Sequence, residues 1–361
     1  MKKNTVRFVI STVLFLSFSS ACGAEPTPRP APIVKDGYYP TAEWRTSTPE
    51  EQNIDSDQLE EMLTEIERKY WDVDNITIIR HGYKVFDVSL GDYQADEIHL
   101  LYSCTKSVVS ALVGIAIDQG HIESKDASLV SLFPDRQIDN SDPRKESITL
   151  AHLLSMTAGF DCRDSYIYQW EGLNEMFDAE DWIQHVLDLP MANYPGSNFE
   201  YCNGVSNLLS AIVQENSGIQ TALFAEQYLF TPLGIEEYFW EQDPAGYSLG
   251  FSELYLKPGD MARFGYLYLH GGKWGEQQII SPEWVAESTR FKIEATLQDG
   301  YGYQWWIDSA GYYMALGYRG QFIFVLPEFD MVVVFVSDPE VGDFDAPEYL
   351  LTEFIIPAVL P

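Results

Sequence analysis

The chain has 361 residues, enough for one large domain or two intertwined subdomains with a substantial buried core. Hydrophobic residues make up 46%, which rules out a disordered chain. The formal net charge of -33 repels phosphate backbones and anionic lipid, which excludes nucleic-acid binding and electrostatic docking on membranes.

Lys2, Lys3 and Arg7 precede an apolar or small-residue run over 8–20, too short to span a bilayer and right for a signal peptide over 1–22. Ser19-Ser20-Ala21 before Cys22 is similar to a lipoprotein processing site. Export to the periplasm or cell surface is expected, either with a lipid anchor at Cys22 or after ordinary signal cleavage. Four prolines between Pro26 and Pro32 make 23–42 a stiff linker, and the folded domain is placed at 43–361.

Leu59, Met62, Leu63 and Ile66 recur at helical spacing after Ser56 and Asp57, predicting a helix over 56–68. Two strands over 75–80 and 84–90 flank a His81-Gly82-Tyr83 hairpin turn. A nearly all-apolar helix runs from 103 to 119 and stops at Gly120. The middle, about 149–290, reads as mostly helical. Strands return over 302–307, 312–316, 322–326 and 331–336, with a last helix over 347–357. The order predicts an α/β (α+β) fold: an antiparallel sheet built from both chain ends, flanked by helices, with an inserted helical subdomain.

Ser103-Cys104-Thr105-Lys106 opens the apolar helix, and residues three apart share a helix face. A serine hydroxyl needs a base to become a nucleophile, and burial at a helix N-terminus lowers the pKa of a lysine. Tyr201-Cys202-Asn203 is an extended segment whose first and third side chains point the same way, a phenol for proton transfer and an amide for hydrogen bonds. Ala315-Leu316-Gly317-Tyr318-Arg319-Gly320-Gln321 joins two strands, where glycine permits close backbone approach. The N–H of Tyr318, after Gly317, can pair with that of Ser103 as an oxyanion hole. Gly246-Tyr247-Ser248-Leu249-Gly250 fits a nucleophile elbow in letters but lacks the preceding apolar strand.

These motifs, in this order, resemble the β-lactamase-related serine hydrolases (class C β-lactamase and penicillin-binding-protein type), which include esterases and nylon-oligomer hydrolases. The segments 148–159, 229–235, 260–265 and 301–306 fit the same family habit. The resemblance implies Ser103 as acylated nucleophile, Lys106 as base with Tyr201 sharing proton transfer, and Asn203 as their polar neighbour. One departure is Ala315-Leu316-Gly317, where lactamases carry Lys-Thr-Gly or His-Thr-Gly. It points toward the esterase and nylon-oligomer branch, with a true β-lactamase or D,D-peptidase as alternative and an inactive binding or sensor module as a third. The expected partner is a small ester, amide or peptide substrate.

No CxxC or HxxxH spacing supports metal, and no cofactor is expected. Cys104, Cys162 and Cys202 allow one disulfide in an oxidising compartment, and spacing does not choose the pair. If Ser103 and Tyr201 converge, Cys104 with Cys202 is a candidate.

Overall fold

The computed structural model describes residues 38–138, 142–164, 170–337 and 342–360. The expected signal peptide, Cys22 and most of the linker lie outside them. No helix among the described residues is long and apolar enough to cross a membrane.

Helix α1 (Ser56–Lys69) starts where the Asp55 carboxylate accepts the Asp57 N–H, and it buries Leu59, Met62 and Ile66. It is followed by β1 (Val73–Arg80) and β2 (Tyr83–Ser89), paired through the expected hairpin. Five further strands come from the other end of the chain: β3 (Gly300–Tyr301), β4 (Trp306–Ile307), β5 (Tyr313–Gly317), β6 (Gln321–Leu326) and β7 (Met331–Ser337). Together they form one antiparallel sheet in the order β2-β1-β7-β6-β5-β4-β3. The two chain ends meet where β1 pairs with β7, Ile76 opposite Phe335 and Ile78 opposite Val333. Every residue of β5, β6 and β7 is buried, so both faces of the central sheet are covered.

Helix α2 (Cys104–Asp118) lies against β5 and β6, α3 (Asn203–Ser217) packs on α2, and α4 (Pro258–Leu269) crosses β1, β6 and β7. Gly114 in α2 leaves room for Trp284, since a Cβ there would sit 2.3 Å from its ring. Residues 39–42, at the end of the expected linker, pack on this body: Pro40 and Ala42 carbonyls accept from Arg263, and Tyr39 packs beside Tyr266 and Trp274.

The structure departs from the sequence expectation in two places. The strand over 302–307 is instead two short strands joined by a buried turn at Gln304, which has φ +62. The Gln304 side chain donates to the Leu154 carbonyl and accepts from Ser206, and its own carbonyl accepts from Ser107. Those bonds tie the turn to α2 and α3, and no strand ladder could supply them there. The helical middle also holds four short strands: Leu254–Leu256 pairs with both His99–Leu100 and Phe239–Trp240 in a second small sheet, and Lys273–Trp274 pairs with Gln277–Gln278.

Candidate active site

Ser103 sits at the junction between that small sheet and α2. Leu101 donates its N–H to the Leu254 carbonyl, which anchors the approach. Tyr102 then takes φ +44, a left-handed backbone rarely tolerated by a residue with a side chain. Strain of this kind persists only where surrounding contacts over-determine it. The chain turns there, and Ser103 becomes the half-buried N-cap of α2.

One helical turn on, Lys106 is 2% exposed. Its Nζ lies 3.0 Å from Ser103 Oγ, 2.8 Å from Asn203 Oδ1 and 2.8 Å from the Phe251 carbonyl. None of these partners is a carboxylate. Burial pushes its pKa down to about 7, against the opposing pull of Asp164. A hydroxyl beside an amine that is neutral in a substantial fraction near pH 7 is an arrangement suited to proton removal.

The acceptors around Lys106 are positioned by α3. Asn203 is its first residue, and Asn207 one turn later accepts the Gly250 N–H at 3.0 Å, which fixes the segment carrying the Phe251 carbonyl. Cys202 is extended, with φ -140, so Tyr201 and Asn203 both turn toward Lys106. The Lys106 Nζ lies 4.8 Å from the centre of the Tyr201 ring. That ring stacks on Trp306 at 5.9 Å, and Trp306 is packed by Tyr301 and Phe199. The phenol is therefore held by an aromatic wall at the sheet edge.

Gly317, at the end of β5, faces the start of α2: a Cβ there would lie 2.4 Å from the Leu101 carbonyl. Only glycine allows this approach. The Tyr318 ring then meets Tyr102 and Trp170 edge-on, each at 5.5 Å. Arg319 lies 5.1 Å from the Tyr318 ring, half-buried and not free in solvent. The structure thus brings Ser103, Lys106, Tyr201 and Asn203 to one point, with Gly317 and Tyr318 beside it. Ser248 of the G-x-S-x-G sequence is fully buried, and its Oγ accepts the Ala222 N–H.

Two findings go beyond the sequence reading. The disulfide joins Cys162 to Cys202, correcting the Cys104–Cys202 candidate. Cys104 is a free, buried thiol aimed at the sheet, donating to the Gln321 carbonyl at 3.3 Å, whereas Cys202 faces away from Lys106 toward the 162 segment. Asp164 is the other finding. Its Oδ2 accepts both the backbone N–H of Asn203 at 3.0 Å and its side-chain Nδ2 at 3.1 Å, and Oδ1 accepts the Leu173 N–H at 2.9 Å. Burial raises the Asp164 pKa, while these donors and Lys106 oppose that rise. Nothing in local spacing marks Asp164; the only available signal was the cysteine two residues before it.

The family model described as Beta-lactamase matches residues 64–352. Among known proteins, the chain is 22% identical over 322 residues to the 6-aminohexanoate-dimer hydrolase of Paenarthrobacter ureafaciens, with 81% of each chain covered. Among solved structures it is similar to a penicillin-binding protein homolog from Caulobacter crescentus, with TM-score 0.66 and 15% identity over 84% of this chain and 98% of that one. It is also similar to EstCE1, a hydrolase with promiscuous acyltransferase activity, with TM-score 0.67 and 16% identity over 83% and 98% of the two chains. At these identities the structures speak for the fold alone.

Proposed function

The chain belongs to the Beta-lactamase family, and from that premise we propose that it is a serine hydrolase cleaving a small ester or amide through an acyl-enzyme on Ser103. The observation that carries this reading is the 3.0 Å contact between Ser103 Oγ and a buried Lys106 amine whose pKa is lowered to about 7. Lys106, with Tyr201 at its side, takes the hydroxyl proton as Oγ attacks the substrate carbonyl. The N–H groups of Ser103 and Tyr318 hold the oxyanion. The bond to the leaving group then breaks as a proton returns to it through Tyr201. Water attacks the resulting ester and releases Ser103.

The missing lysine or histidine at Ala315 leaves no cation at that position for a substrate carboxylate, which favours the ester and amide branch over β-lactams. The relative named above as a 6-aminohexanoate-dimer hydrolase agrees with that branch. Export, with or without a lipid at Cys22, belongs to the same proposal. A retired binding module has no physical need for a buried, unpaired lysine beside a serine.

The test is a substrate panel. Wild type should release a burst of p-nitrophenol from p-nitrophenyl acetate equal to the enzyme present, and should turn over a chromogenic cephalosporin slowly or not at all. Efficient cephalosporin hydrolysis would move the protein to the β-lactamase reading. Absence of both a burst and steady turnover with every ester and amide would leave the binding-module reading standing.

A further inference from the structure

We propose that Asp164 is a positioning residue for Lys106, acting through the side chain of Asn203; this rests on Lys106 being the base. A carboxamide has two ends of nearly equal size, and its chemistry depends on which end faces the reacting group. Here Asn203 must turn Oδ1 to Lys106, because an amine with protons to donate needs an acceptor. Asp164 enforces that choice. A carboxylate only accepts, so the Asn203 NH2 group turns toward it and Oδ1 is left facing Lys106. The flipped amide would set Oδ1 against the Asp164 oxygen and two donors against each other at Lys106.

Asp164 is itself fixed. The same oxygen takes the backbone N–H of Asn203, and the other takes the Leu173 N–H. The Cys162–Cys202 disulfide ties the two segments together two residues before Asp164 and one before Asn203. A backbone bridge to Trp170 holds Asp164 from a third direction. Two tethers of different chemistry therefore hold one amide in one orientation.

The carboxylate also has an electrostatic effect. It lies behind the amide, out of ion-pair contact with Lys106, yet its charge favours the protonated amine. Burial alone would push Lys106 further down and make it a weaker base. Asp164 offsets part of that push. The other groups facing Lys106 are the Ser103 hydroxyl and the Tyr201 phenol; the nearby Cys104 thiol points into the sheet, and burial holds it neutral. Glu200 faces Asp164 from the opposite side, where its Oε1 accepts the Cys162 N–H.

The experiment is the pH dependence of kcat/KM for p-nitrophenyl acetate in wild type, Asp164→Asn, Asp164→Ser, Asp164→Glu and Ser103→Ala, each checked by thermal melting. Two neutral replacements are used so that the result does not hang on one variant folding. Both should move the acidic limb to lower pH by roughly one unit, because the charge that raised the lysine is gone. Both should lower the plateau roughly tenfold, through a weaker base and a loosened amide. Asp164→Glu keeps the charge and should hold the limb near its wild-type position. A folded neutral variant with an unmoved limb and a plateau within about twofold of wild type would overturn the proposal. Activity retained by Ser103→Ala would instead overturn the underlying mechanism, whatever the Asp164 variants do.

Discussion

Two buried lysines in this protein have different fates. Lys106 is 2% exposed and Lys145 3% exposed, and burial lowers the pKa of both. Lys145 donates to the Leu187 carbonyl, lies 5.6 Å from the Phe160 ring, and feels Asp188 and Asp142 nearby. No hydroxyl is among its hydrogen-bond partners in the described residues. Lys106 has a serine hydroxyl 3.0 Å away at the open end of a helix, and its amide acceptor is set by a further carboxylate. Burial by itself makes a lysine costly; under the proposed mechanism the neighbouring hydroxyl and the strained turn at Tyr102 give it a use.

The contrast is sharpest in variants of the two lysines. Lys106→Ala should reduce kcat/KM on an ester by on the order of 10³-fold or more, with the fold retained. Lys145→Met should keep activity within about twofold and lower stability by about 1–3 kcal/mol, because the Leu187 carbonyl loses its buried donor. Equal losses of activity in both would break the comparison. In the proposed mechanism Lys106 acts only as the neutral amine, so kcat/KM should fall about tenfold per unit below a pH of about 7. A pH–rate profile flat from pH 5 to 8 would contradict that role.

A smaller effect on activity than that of Lys106→Ala is expected at the disulfide, which separates the two lysines because it lies next to the Lys106 acceptor. Closing a loop of 40 residues stabilises by about 4 kcal/mol in the chain-entropy account. The Cys162→Ser/Cys202→Ser double variant should unfold at a correspondingly lower denaturant midpoint and lose roughly tenfold in kcat, since Asn203 would be held by Asp164 alone. An unchanged kcat with lowered stability would confine the disulfide to a structural role.

Much of this was legible in the sequence because it is carried by local pattern. The strands at both ends, the apolar helix after Ser103 and the order of the three motifs each follow from short-range periodicity or spacing. That one sheet is built from both ends follows once the two ends must share one core. What was not legible depends on long-range polar contacts. The Gln304 turn reads as strand because its reason lies in Leu154, Ser206 and Ser107, all remote in sequence. Asp164 stands 39 residues before the amide it orients. The cysteine pairing was open because convergence of Ser103 and Tyr201 says nothing about which way their neighbours face. Cys104 turns into the sheet and Cys202 toward the 162 segment, so the nearest-looking pair is the wrong one.

The most direct measurement is the site of covalent attachment. Wild type and Ser103→Ala are treated with a fluorophosphonate, digested and mapped by mass spectrometry. One adduct per chain on the peptide carrying Ser103, absent from Ser103→Ala, is the predicted result. An adduct on any other residue, or labelling that survives Ser103→Ala, would contradict the account.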